Sequence, residues 1–215
     1  MKKFLLLFLC AASFAANAQL TFSVRAGLSL SNEIIPRQDP NVTTFRPTSV
    51  KAGFYMGATV QIPLSANFSI APGLVLAQKG YHEPAYRDTN TATPHTSVAY
   101  NLTYTFIDVP VLADLKVSKN INLQFGPQVS FLVKGTWKAK DPYTTGSFSQ
   151  ESTPKVILGL VAGARFHVWK QLSLSVHYNV DLQAHVEDPG AFYPLKDFRN
   201  ETLQVGLTYQ HRRRK

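Results

Sequence analysis

The chain has 215 residues, about the length of one domain, and a formal charge of +9. Its one cysteine, Cys10, excludes an internal disulfide and a cysteine-based metal site. The basic excess is a terminal run, Arg212-Arg213-Arg214-Lys215, plus scattered residues with no aromatic-basic platform, which argues against a nucleic-acid reader.

Lys2 and Lys3 form a positive n-region, Phe4 to Phe14 an apolar stretch, and Ala16-Asn17-Ala18 a small-residue cleavage site. This pattern predicts a secretory signal peptide over residues 1–18, too short in its apolar part to span a bilayer. Cys10 leaves with it, and the charge falls to +7 with Lys2 and Lys3 gone. The expected organisation is signal peptide 1–18, one β-domain 19–211 and a basic tail 212–215. The tail is suited to anionic headgroups or cell-wall polymer. No later stretch offers about 18 consecutive apolar residues, so no transmembrane helix is expected.

Beyond the leader the chain alternates. Leu20 to Leu30 sets Leu20, Phe22, Val24, Ala26, Leu28 and Leu30 against Thr21, Ser23, Arg25, Gly27 and Ser29. A period of two gives a strand with one apolar and one polar face. A polar stretch broken by Pro36, Pro40 and Pro47 comes next. Val50 to Ile62 alternates again, with Ala52, Phe54 and Met56 opposed to Lys51, Gly53 and Tyr55. After a short link come Phe68 to Lys79 (Phe68, Ile70, Leu74 and Leu76 against Ser69, Gly73 and Lys79) and a second polar loop, Tyr81 to Ser97. The fourth strand, about Tyr100 to Val117, is mixed in its first half, and Pro110 predicts a bulge or break. Its second half opposes Ile107, Val109 and Val111 to Asp108, Asp114 and Lys116.

Ser118-Lys119-Asn120 turns into Ile121 to Trp137, with Gln124, Gly126, Gln128, Ser130 and Lys134 on the polar face. A third loop, Lys138 to Thr153, leads to Pro154 to Val168. The clearest alternation is Gln171 to Gln183, QLSLSVHYNVDLQ: six apolar residues from Leu172 to Leu182 interleave with Ser173, Ser175, His177, Asn179 and Asp181. A fourth loop, about Ala184 to Arg199, precedes the last strand at Thr202 to Tyr209.

Eight strands result, joined alternately by long and short connections. They exceed the usual five or six residues and match the roughly nine to eleven of a tilted membrane-spanning strand. The fold expected is all-β: an eight-stranded antiparallel up-and-down transmembrane β-barrel with short periplasmic turns and long external loops. A lipocalin-like soluble barrel has the same period with its faces reversed. Long strands, loop rhythm and a polar face rich in small residues favour lipid outside. Its glycines (Gly27, Gly53, Gly57, Gly73, Gly126, Gly159, Gly163 and Gly206) suit a narrow, filled interior.

Several segments together resemble the PorT-like outer-membrane β-barrel proteins, a group typical of Gram-negative bacteria of the Bacteroides–Flavobacterium type. They are Arg25-Ala26-Gly27-Leu28-Ser29-Leu30-Ser31, Gln61-Ile62-Pro63-Leu64 leading to Gly80, Phe106-Ile107-Asp108-Val109-Pro110-Val111-Leu112, Phe125-Gly126-Pro127, Gly159 to Arg165, and Leu203 to Tyr209. The resemblance covers essentially the whole mature chain. It implies the fold and outer-membrane location, and assigns no activity. Such barrels finish on an aromatic residue, whereas here Tyr209 is followed by Gln210-His211 and the basic tail.

Arg25, Lys51, Lys79, Asp108, Asp114, Lys116, Lys134, Arg165, His167, His177 and Asp181 are expected to face inward. An eight-stranded barrel is just wide enough for its own side chains, so these read as a salt-bridged plug rather than a pore lining. Ser175, His177 and Asp181 invite a catalytic reading, but residues two apart on a strand stand roughly 7 Å apart, beyond nucleophile-to-base reach. His82, His95 and His185 with Glu83, Glu187 and Asp188 read as solvated loop residues rather than metal ligands. Tyr104, Trp137, Trp169 and Tyr209, near strand ends, read as an interfacial girdle.

The expected function is binding or structural, through the external loops (Ser31–Ser49, Tyr81–Ser97, Lys138–Thr153 and Ala184–Arg199) or within an envelope or secretion assembly. A lipid-modifying hydrolase and a narrow solute channel are the alternatives. No catalytic residues, metal or cofactor are expected. The expected partners are outer-membrane lipid, the barrel-insertion machinery and an envelope or secretion-system protein, and the chain reads as a monomer.

Overall fold

Each of the eight long alternations is a strand in the computed structural model, which describes residues 20–34, 49–83, 87–88, 95–96, 99–139, 145–148, 156–182 and 199–211. The long strands are β1 (Thr21–Ile34), β2 (Ser49–Pro63), β3 (Phe68–Glu83), β6 (Tyr100–Lys116), β7 (Ile121–Ala139), β9 (Ile157–His167), β10 (Leu172–Asp181) and β11 (Arg199–His211). Three short ones, β4 (Arg87–Asp88), β5 (His95–Thr96) and β8 (Thr145–Phe148), lie between them. All pairings are antiparallel, in the order β6-β3-β2-β1-β11-β10-β9-β7, and β6 pairs with β7 to close the ring. Closure leaves no open sheet edge in the ring, which is what allows strands to cross a bilayer.

The period of two sorts the side chains by radius. Leu28, Met56, Leu74, Phe125, Leu160 and Leu207 point outward and are each at least half exposed. The buried side is mostly hydroxyl, amide and charge, among them Ser29, Gln128, Ser130, Ser175, Asn179, Thr202 and Gln204. A lipocalin-like barrel needs the opposite arrangement. An apolar belt on all eight strands around a polar interior belongs in lipid.

Three local findings depart from the expected pattern. Pro110 neither breaks nor bulges β6. It and Pro72 lack the N–H a ladder needs, so the β3–β6 pairing lapses between Pro72↔Val111 and Val75↔Asp108 and then resumes in the same register. The irregularity lies instead in β7, where Phe106 pairs with Leu132 but Thr105 pairs with Lys134, leaving Val133 extra. This β-bulge reverses the face at the next position, so Lys134 is exposed rather than inward. The segments expected to be loops at 81–97 and 138–153 also carry strand structure: β3 runs on to Glu83, β4 pairs with β5, and β7 pairs with β8. The rest of the four external loops, the leader 1–18 and the tail 212–215 lie outside the described residues.

β2 and β3 are joined by residues 64–67, β6 and β7 by 117–120, and β9 and β10 by 168–171, all at the end that holds the start of β1 and the end of β11. This short-turn end is the periplasmic one in outer-membrane barrels.

Candidate functional site

Among the described residues six charged side chains are buried in the interior: Arg25, Lys79, Arg165, Asp108, Asp114 and Asp181. Three cations face three carboxylates, so the buried charge is balanced. The six are held at different depths by their places on the strands.

Toward the loop end, Lys79 on β3 sends Nζ to Asp108 Oδ1 at 3.3 Å, Ser130 Oγ at 3.4 Å and Asp181 Oδ1 at 3.6 Å. Asp181 also accepts from Asn200 Nδ2 at 3.1 Å. The Lys79 ammonium lies 4.7 Å from the centre of the Phe106 ring, within cation–π range. Phe106 belongs to an apolar cluster with Tyr104, Leu132 and Ile157, packed against Tyr81 and Leu102. Tyr104 is therefore an interior residue, 1% exposed, and not part of an interfacial girdle. It lies four positions before Asp108 on one strand and shares its face, and that parity was readable in the sequence.

At mid-depth Arg25 Nη1 is 3.4 Å from His177 Nδ1, and the guanidinium lies 5.9 Å from the Tyr55 ring centre. His177 Nε2 meets Gln124 Oε1 at 2.7 Å. Tyr55 Oη reaches Ser175 Oγ at 3.5 Å across the lumen. The bulk of Tyr55 is accommodated by Gly206, where a Cβ would lie 2.6 Å from Tyr55 Oη. Gly163 makes the same space for His177, with His177 Cδ2 at 2.7 Å from a Cβ position.

Toward the short turns Arg165 Nη2 donates to Asp114 Oδ2 at 2.6 Å, and Gln124 Nε2 donates to the same oxygen at 2.6 Å. Asn122 Nδ2 donates to Asp114 Oδ1 at 2.5 Å. His167 Nε2 meets Asn122 Oδ1 at 3.1 Å, and His167 Nδ1 meets Ser173 Oγ at 2.9 Å. Asn122 uses its amide nitrogen on Asp114, so its oxygen accepts from His167 Nε2–H. His167 Nδ1 in turn accepts from Ser173. This Ser–His–Asn–Asp–Arg chain sets a hydroxyl against an imidazole, yet Ser173 is fully buried and closed to a substrate. Neither Ser173 nor His167 belongs to the Ser175, His177, Asp181 trio readable on one strand. Ser173 meets His167 across the β9–β10 turn.

That trio is kept apart. Ser175 Oγ donates to the Gly206 carbonyl at 3.2 Å, His177 serves Arg25 and Gln124, and Asp181 serves Lys79 and Asn200. Lys51 lies on the interior face at the loop end, where Nζ donates to the Leu102 carbonyl at 2.8 Å and to Thr103 Oγ1. Lys116 is exposed at the short-turn mouth. Trp169 is 76% exposed in the turn at 168–171, and Tyr209 is outward and partly exposed, donating to Gln171 Oε1 at 3.1 Å. Trp137 stands in β7 opposite Leu102 and Gly146, and its side chain lies outside the described residues. His82 Nδ1 meets Asn101 Oδ1 at 2.8 Å, while His185, Glu187 and Asp188 lie outside the described residues. Among the described residues no three His, Cys, Asp or Glu gather as a metal site.

Below the Arg165–Asp114 layer a cavity of about 1240 Å³ opens among the short turns. The interior thus has a basic mouth, three polar layers and an apolar cap.

The family described as outer membrane protein beta-barrel domain matches residues 12–183. No curated protein matches the sequence. Among solved structures, Ail, the attachment invasion locus protein of Yersinia pestis, is 12% identical, with 89% of this chain and 98% of that chain covered and a TM-score of 0.46. Neisserial surface protein A is 11% identical, with 89% and 96% covered and a TM-score of 0.47. OprG of Pseudomonas aeruginosa is 10% identical, with 91% and 98% covered and a TM-score of 0.47.

Proposed function

The chain belongs to the outer membrane protein beta-barrel domain family, and on that premise we propose a non-conducting outer-membrane barrel with a binding or structural role. One observation carries the reading: Lys79 is ion-paired to Asp108 and Asp181 at a level capped by Tyr104, Phe106, Leu132 and Ile157. Charged side chains paired across the lumen and packed among their neighbours fill the space that a passing solute would need. Work then falls to the two ends of the barrel, through the external loops or as a member of an envelope or secretion assembly. Phe106 to Leu112, with Arg25 to Ser31 and Leu203 to Tyr209, supports a PorT-like affiliation within the family. Residues 1–18 act as the export signal in this reading, and the barrel is a monomer.

Photo-crosslinking in whole cells tests the role. A crosslinker at Ser49, at the loop end of β2, should capture a discrete envelope partner, and one at Leu207 in the lipid belt should capture none. Capture confined to the belt, or none from either site, contradicts the proposal.

A further inference from the structure

We infer that the short-turn mouth of the barrel is a binding site for an acidic peptide segment of a periplasmic partner. The site is separate from the external loops and does not depend on them.

The first observation is shape. The cavity of about 1240 Å³ is walled by strand ends and short turns and floored by the Arg165–Asp114 layer. It is wider than a drug-sized pocket, which is about 300–1,000 Å³. A ligand entering from the periplasm ends here, because the layers above are closed.

The second observation is charge. Lys116, Lys119 and Lys170 border the cavity and are exposed. Among the described residues Asp114 is the only carboxylate lining it, and that group is consumed by Arg165, Asn122 and Gln124. Among the described residues none of the three lysines has a carboxylate within ion-pair distance. β11 ends beside the cavity at His211. A concave mouth lined by one sign of charge focuses the field and concentrates ligands of the other sign.

The third observation fixes the ligand class. Gln61, Asn67, Asn120 and Gln210 line the same space. Carboxamides both donate and accept, as the N–H and C=O groups of a peptide backbone require. Inorganic phosphate fills little of such a volume, and Leu20, Phe22, Pro63, Val168 and Trp169, which line it beside the amides, give the apolar side chains of a peptide surface to pack on. An extended peptide with Asp or Glu side chains uses both the amides and the lysines.

The experiment is calorimetric titration of the barrel in zwitterionic nanodiscs with a glutamate decapeptide, in parallel with inorganic phosphate, oligogalacturonate and phosphatidylglycerol vesicles. Each variant is first shown to be folded by its heat-dependent gel shift. Combined Lys116→Gln, Lys119→Gln and Lys170→Gln should weaken the decapeptide by about tenfold, as expected for the loss of three exposed charge pairs. Asn67→Trp, which fills the mouth without changing charge, should weaken it as well, and Lys134→Gln, at the opposite end, should leave it unchanged. Absence of decapeptide binding, binding untouched by the triple variant or by Asn67→Trp, or tighter binding of phosphate, oligogalacturonate or vesicles overturns the inference.

Discussion

Lys79 Nζ lies 3.6 Å from Asp181 Oδ1, although β3 and β10 are four places apart in either direction round the eight-strand ring. The two residues are diametrically opposed, so one ion pair spans the lumen. Asp108, on the strand next to β3, receives the same ammonium at 3.3 Å.

Removing the cation leaves two buried carboxylates without it. Lys79→Met should lower stability by about 3–5 kcal/mol, the usual cost of breaking a buried pair from one side. The urea midpoint of the folded barrel measures this. Lys79→Met combined with Asp108→Asn and Asp181→Asn should recover much of the loss, since no charge is then stranded.

Gly206 and Tyr55 occupy one space. Gly206→Ala should cost about 1–3 kcal/mol by overpacking, because the new methyl meets Tyr55 Oη and the backbone of β1. Tyr55→Phe in the Gly206→Ala background should restore part of the loss, read from the same urea midpoint. No restoration would place the whole clash on the backbone.

The outward face distinguishes lipid from water directly. Leu207→Arg, on the apolar belt, should cost about 2–4 kcal/mol in a bilayer if it sits near the midplane. Trp169→Arg, in a short turn, should cost about 0–1 kcal/mol, as at an interface. Equal and small effects at both sites would mean that the belt faces water.

The bulge in β7 sets the accessibility of Lys134. In a chain lacking Cys10, Lys134→Cys should react with a membrane-impermeant maleimide, and Leu132→Cys, two residues earlier, should not. Labelling of both or of neither would contradict the reversal of face.

Strand number, loop rhythm and the polarity of the two faces were legible because period-two alternation runs through most of each spanning segment, Leu172 to Leu182 most clearly. The inward placement of Arg25, Lys79, Asp108, Asp114, Arg165, His177 and Asp181 comes from the same parity. Partners do not come from it. Lys79 to Asp181 and Arg25 to His177 depend on ring order and stagger, which no single strand encodes. Lys134 escaped because a bulge is a pairing event between β6 and β7. Tyr104 escaped for a different reason: residue type suggested an interface, while its parity with Asp108 pointed inward. The basic mouth was invisible as a site because Lys116, Lys119 and Lys170 come from different strands and turns that only closure brings together.

The sealed lumen is the claim on which the functional reading turns, and single-channel recording in planar bilayers tests it most directly. The folded chain, recovered afterwards as the heat-modifiable form, should insert and give a flat current trace across the applied voltage range. Discrete conductance steps from that same folded form would contradict it.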